Sequence, residues 1–174
     1  MQVWMRLLPA LIVIIIPAAA WAQDADGDGI PDVLEVRLGT DPQVRDELIP
    51  IGESPAKETG PDLRRFYMCH VGGDRFLWRV EFAEAFPKTG GVMVFYVDAD
   101  NDAATGRQDK PECIGTDVQY SCSGTSVSAT VNNRAIYAQG QSAVRGRAVG
   151  NVVWFCDDVQ LKREGGQAII RFRV

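Results

Sequence analysis

Three patterns of apolar and polar residues succeed one another along the chain. Residues 7–20, LLPALIVIIIPAAA, are apolar throughout behind a lone cation, Arg6. The run is short for a bilayer span and is interrupted by Pro9 and Pro17. Ala20-Trp21-Ala22 then supplies a small-x-small step, so residues 1–22 are expected to be a signal peptide cleaved after Ala22. Residues 23–42 are acid-rich and then helical. Ile30, Leu34 and Leu38 share one face, Pro31 suits a helix start, and Gly39 suits the left-handed position past its end. Residues 43–62 mix charges with three prolines and two glycines and are expected to form a linker.

From residue 63 the pattern shortens to that of strands. Candidates are 64–69, 75–83, 91–97, 118–122, 126–131, 134–139, 143–149, 152–156 and 167–174. Turn signals separate them, among them Gly72-Gly73-Asp74 and Gly150-Asn151, and Asn132-Asn133 suggests a tight hairpin. Many short strands at close spacing predict an antiparallel β-sandwich over residues 63–174, in an all-β protein preceded by a loop and one short helix. The end of the chain, AIIRFRV, reads as an apolar strand, either inside the sheet or cut from a longer chain.

Composition narrows the chemistry. The formal net charge is −5, with 18 Lys and Arg against 23 Asp and Glu, which argues against nucleic acid as a partner and suits divalent cations. The single histidine, His70, excludes any mechanism that needs two. An exported chain places Cys69, Cys113, Cys122 and Cys156 in an oxidising compartment. Four cysteines allow three pairings. Cys113–Cys122 closes a local loop, which leaves Cys69–Cys156 as the favoured partner bridge, with buried free thiols as the alternative.

The sharpest motif is the string Asp24 to Glu35, DADGDGIPDVLE. With Asp24 at position 1, carboxylates fall at positions 3, 5, 9 and 12 as Asp26, Asp28, Asp32 and Glu35. Gly29 stands at position 6, where an EF-hand loop turns sharply, and Ile30 at position 7, where the ligand is a backbone carbonyl. A hard ion of about seven oxygen ligands requires this spacing, with Glu35 closing the site bidentately. The alternative is an acidic solvated tail.

Residues 24–42, DADGDGIPDVLEVRLGTDP, resemble a single thrombospondin type 3 repeat of bacterial exported proteins. The resemblance implies Ca²⁺ ligation by Asp24, Asp26, Asp28, Asp32 and Glu35 with the carbonyl of Ile30. Such repeats usually come in tandem, and none follows here; an EF-hand also has an entering helix, and after the expected cleavage only Gln23 precedes the loop. The expected affinity is therefore weak, on the order of 10⁻⁵ to 10⁻³ M.

A second acidic group, Asp98-Ala99-Asp100-Asn101-Asp102, follows the apolar run 91–97, with Thr105-Gly106 and Gly115-Thr116-Asp117 behind it. This strand–DxDxxxxTG–GxD order is similar to exported bacterial β-sandwich modules, carbohydrate-binding-like ones included. It suggests a second metal site from Asp98, Asp100 and Asp117, assisted by Asn101 or Asp102. A polar turn of side-chain-to-backbone hydrogen bonds explains the same residues.

No catalytic constellation emerges. Cys69 and His70 are neighbours on a strand and face opposite ways, and no glycine elbow surrounds a serine. Trp78, Trp154, Tyr96, Tyr120 and Tyr137 fit either a core or a sugar-stacking strip. The expected protein is a non-catalytic calcium binder, secreted, periplasmic or on the cell surface, without a membrane span once the signal is removed. Its expected partners are the calcium ion and a carbohydrate or surface protein, in adhesion, surface assembly or carbohydrate binding. The alternative is an exported, glycosidase-like hydrolase or an accessory fragment of one, which would need paired carboxylates in a groove.

Overall fold

The structure, a computed structural model, describes residues 23–54, 62–90, 92–164, 167–168 and 171–173. The expected signal peptide, residues 1–22, lies outside them. One α-helix, α1 (Asp32–Leu38), precedes the strands β1 (Ile49–Glu53), β2 (Leu63–Gly72), β3 (Arg75–Phe82), β4 (Val92–Asp98), β5 (Val118–Ser123) and β6 (Ser126–Val131). Then follow β7 (Arg145–Val149), β8 (Val152–Asp158), β9 (Arg163–Glu164), β10 (Gln167–Ala168) and β11 (Arg171–Arg173). No helix among the described residues is long and apolar enough to cross a membrane.

The all-β class holds. The main strands pair antiparallel in one sheet of order β1-β2-β3-β8-β7-β6-β5-β4-β11, and β9 pairs with β10 separately. Phe66 on β2 and Phe95 on β4 stand six strands apart in that order, yet their ring centroids are 4.6 Å apart. A flat sheet would separate them by about 29 Å. The sheet therefore curls until its two halves face each other, as two sandwich layers would, while remaining one hydrogen-bonded ladder. The corner lies between β6 and β7, which share the single registered pair Ser126–Arg147 among the described residues.

The concave side holds the core. Phe66, Trp78, Phe95, Tyr120 and Phe155 meet there, with Trp78 stacked on Phe155 at 5.9 Å. On β3, alternation sends Phe76, Trp78 and Val80 inward. Leu77 points outward but is also buried, because α1 covers that face. Ile30, Leu34 and Leu38 pack there against Cys69, Leu77, Trp154 and Cys156. The helix end is also pinned. Gly39 takes φ 86°, its N–H and that of Thr40 donate to the Glu35 carbonyl at 2.7 and 3.0 Å, and Arg75 Nη1 donates to the Gly39 carbonyl at 2.9 Å.

Three expectations change. The 43–62 segment carries β1, paired with β2 from Ile49–Met68 to Glu53–Arg65, while residues 55–61 lie outside the described set. Residues 134–139 do not form a strand. A 3₁₀ turn covers Arg134–Ile136, because the Asn133 side chain accepts the Ala135 N–H at 3.0 Å and ends the extended run. The four cysteines are free, buried thiols. Cys69 and Cys156 both register on Leu77, from opposite sides of β3. That places their Cα atoms about 9.6 Å apart, two inter-strand steps, whereas a disulfide needs about 4.4–6.8 Å. The Cys69–Cys156 bridge is excluded by register, and Cys113–Cys122 is not formed.

Candidate metal centre

The 24–35 loop closes on itself through backbone groups. Asp32 N–H donates to the Gln23 carbonyl at 2.9 Å, and the Asp32 carboxylate accepts the Ala25 N–H at 2.8 Å. Asp24 accepts the N–H groups of Gly27 and Gly29 at 2.8 and 3.0 Å, and Asp26 that of Asp28 at 3.2 Å. Asp28 accepts Ile30 N–H at 2.7 Å with one oxygen and Asp46 N–H at 2.9 Å with the other. Gly27 and Gly29 have φ 75° and 91°, a conformation that side chains with a Cβ resist. These bonds hold the carboxylates inward around the turn.

Two groups of ligand atoms result, each within 4.8 Å: Asp24, Asp26 and Asp28, and Asp28, Glu35 and Asp46. Asp28 belongs to both. Asp32 belongs to neither, and Ile30 contributes a wholly buried side chain beneath the loop. Asp46 is the residue that sequence spacing missed. It stands eleven residues past the loop, where no loop template extends, and its acidic character amid the 43–62 charges gave no distinguishing signal.

Glu35 dominates the electrostatics. It is 0% exposed, and neither carboxylate oxygen has a hydrogen-bond partner; Asp46 Oδ2 and Asp26 Oδ2 are likewise buried and unpartnered. Burial, then the charges of Asp28, Asp26, Asp46 and Asp32, push Glu35 up to about 7. Burial, then Asp28 and Asp26, push Asp46 up to about 6. Asp26 is raised by burial and by its acidic neighbours. A bound cation would relieve every one of these shifts.

The second acidic group is assembled differently. Asp98, Asp100 and Asp117 bring ligand atoms within 4.8 Å of one another. Asp117, wholly buried, already accepts the N–H groups of Ala99 and Asp100 at 2.8 and 3.2 Å and the Asn133 amide at 2.9 Å. Burial raises its pKa. Asp100 accepts Thr105 Oγ1 at 2.8 Å, Asn133 Nδ2 at 3.2 Å and Asp102 N–H at 3.0 Å. Asp102 turns aside to accept Ala104 N–H at 2.9 Å. Asn101 sits at φ 54°, with its Oδ1 buried and unpartnered. The glycines of the motif are steric: a Cβ at Gly106 would lie 2.5 Å from the Thr116 carbonyl, and one at Gly115 3.0 Å from Ala103 Cα. Thr105, part of the motif, and Asn133, expected only in a hairpin turn, both reach Asp100 and Asp117 and bridge the two halves of the cluster.

Other candidates take structural places. His70 is exposed with Nε2 2.8 Å from the Gly73 carbonyl, while Cys69 lies under α1. Trp78, Tyr120, Tyr137 and Trp154 are buried and Tyr96 is half-buried, so the five form no exposed strip. Asp157 is a buried hub of β8. It accepts the hydroxyls of Tyr120, Tyr137 and Ser142 at 2.9, 2.8 and 2.7 Å and two backbone N–H groups at 3.0 Å. Burial and the Asp157 charge raise both tyrosines, which stay protonated donors.

Comparison with protein-family models, with curated proteins and with solved structures finds no match for this chain.

Proposed function

We propose that the protein is an exported, non-catalytic calcium binder whose ion is held by Asp24, Asp26, Asp28, Glu35 and Asp46. The supporting observation is Glu35, wholly buried beside Asp28 and Asp46 with both oxygens unpartnered. A buried carboxylate in that state costs several kcal/mol unless a proton or cation joins it. Above pH 7 the proton is lost, and a cation is the remaining partner. The donors are all oxygen, which favours calcium or magnesium over zinc or copper. Several carboxylates on a turn suit the larger, less geometrically demanding calcium. With four of the five candidate aromatics buried, adhesion or surface assembly fits better than stacking on sugar rings.

Calorimetric titration of the chain lacking residues 1–22 tests this reading. Calcium should bind on the order of 10⁻⁵ to 10⁻³ M and outcompete magnesium. Glu35→Gln should weaken binding by about tenfold or more, 1.4 kcal/mol, and Asp98→Asn should leave it unchanged. An isotherm insensitive to Glu35→Gln and abolished by Asp98→Asn refutes the assignment.

A further inference from the structure

Asp46 is the one member of the Asp28–Glu35–Asp46 group that lies outside the loop and helix, and it stands three residues before β1. Its N–H is bound to Asp28, its carbonyl accepts Leu48 N–H at 3.1 Å, and its Oδ2 is buried and unpartnered. The chain that leads into β1 is therefore tied to the metal centre at one residue. Next to that tie the packing is open. A groove of about 610 Å³ lies between this segment and the sheet, bounded by Arg45, Glu47 and Leu48 on one side and Tyr67 and Arg79 on the other.

β1 is itself a weak edge strand. Pro50 has no N–H to give, the register breaks between Pro50 and Gly52, and Ile49 is 58% exposed. Among its described residues, Ile51 alone packs against the main core. Beyond its ladder to β2, it is held by the tie at Asp46, by Leu48 packed against the cluster under α1, and by an exposed ion pair between Glu53 and Arg65.

We propose that a divalent cation held by Asp28, Glu35 and Asp46 is the latch that keeps β1 on the sheet, which rests on the calcium reading above. With the ion bound, Asp46 is drawn toward Asp28 and Glu35, and β1 covers the edge of β2. Without it, three carboxylates within 4.8 Å repel one another, and the residue that gives way is Asp46, the one carried by neither the closed loop nor the helix. β1 then leaves with it, and the backbone groups of β2 from Arg65 to Met68 lose their partners. An uncovered ten-residue strand is an edge to which another strand adds. Calcium thereby determines whether that edge is closed or open.

Hydrogen exchange read by mass spectrometry tests the latch, with calorimetry on the same samples. On moving the protein from saturating calcium into chelator, amides of β1 and of 65–68 should exchange about 5- to 30-fold faster, while β5 and β6 stay protected. Asp46→Asn removes one of the ion's carboxylates, so it should bind calcium more weakly and, at every calcium concentration, exchange like the metal-free protein at β1. If calcium binds but β1 is equally protected with and without it, or if Asp46→Asn keeps the protection, the latch is wrong and the calcium site stands. Loss of protection in every strand at once also overturns it, because the ion would then support the whole fold. Absence of any calcium heat removes both the site and the latch.

Discussion

Glu35 has opposite effects on the metal-free and metal-bound states. Its folded pKa of about 7 lies above the ordinary 4.5, and that of Asp46, about 6, lies above 3.8. The folded metal-free protein thus holds these protons more tightly than the unfolded chain does. As pH rises from about 4.5, the unfolded chain deprotonates first. The stability contribution of Glu35 is greatest below that pH, falls through pH 7 and is then level. The whole decline is worth about 3 kcal/mol for Glu35. Glu35→Gln removes it. In chelator the variant should unfold at higher urea than wild type at pH 8, with the difference vanishing near pH 4. In saturating calcium at pH 8 the order should reverse. A variant less stable than wild type in chelator at pH 8 would mean that Glu35 has a partner the charges do not reveal. The buried thiols Cys69 and Cys122, pushed to about 11, and Cys156, pushed to about 12, take no part, since they stay protonated throughout that range.

Among the elements, those set by local chemistry were legible in the sequence. Pro31 and Gly39 bound α1 as expected, the apolar face Ile30–Leu34–Leu38 is the buried one, and most strands fall where apolar runs suggested. What escaped depends on distant partners. β1 reads as linker because its Pro and Gly break the pattern, and it is a strand only because β2 offers an edge. The Asn133 side chain that caps the 3₁₀ turn at Arg134–Ile136 is itself held by Asp117 and Asp100, sixteen and thirty-three residues away. Asp46 joins the site only once α1 turns the chain back. The helix end also carries a testable constraint. A Cβ on Gly39 would meet φ 86° and lie 2.6 Å from Arg145 Nη1. Gly39→Ala should cost about 1–2 kcal/mol in urea unfolding from the left-handed strain. Val36→Ala, on the exposed face of the same helix, should stay within about 0.5 kcal/mol. Equal effects would place the end of α1 outside the cooperative unit.

At the scale of the whole molecule, many short strands at close spacing foretold an antiparallel sandwich, in which two separate sheets face each other across the core. A single sheet curled until its halves face each other buries the same faces, and sequence periodicity does not distinguish them. The difference lies at the β6–β7 corner. There Gly146, paired with Phe155, has no room for a side chain: a Cβ would lie 2.6 Å from Val127 Cβ and 2.8 Å from Phe155 Cβ. Both neighbours are built into the curl, Val127 on β6 and Phe155 in the central aromatic cluster with Trp78 and Tyr120. Neither can give way as a flexible side-chain end would. Gly146→Ala should force β6 from β7 or push Phe155 off Trp78, costing about 1–3 kcal/mol as overpacking does. The same change at Gly150, which has φ 60° but open space around it, carries only backbone strain. Near-ultraviolet circular dichroism separates the two mechanisms, because Trp78 reports on Phe155 5.9 Å away. Gly146→Ala should alter the aromatic spectrum and lower the unfolding midpoint together, while Gly150→Ala should lower the midpoint with the spectrum intact. An unchanged spectrum and midpoint for Gly146→Ala would show that β6 and β7 have slack at the corner, and that the curl of the sheet does not depend on contact there.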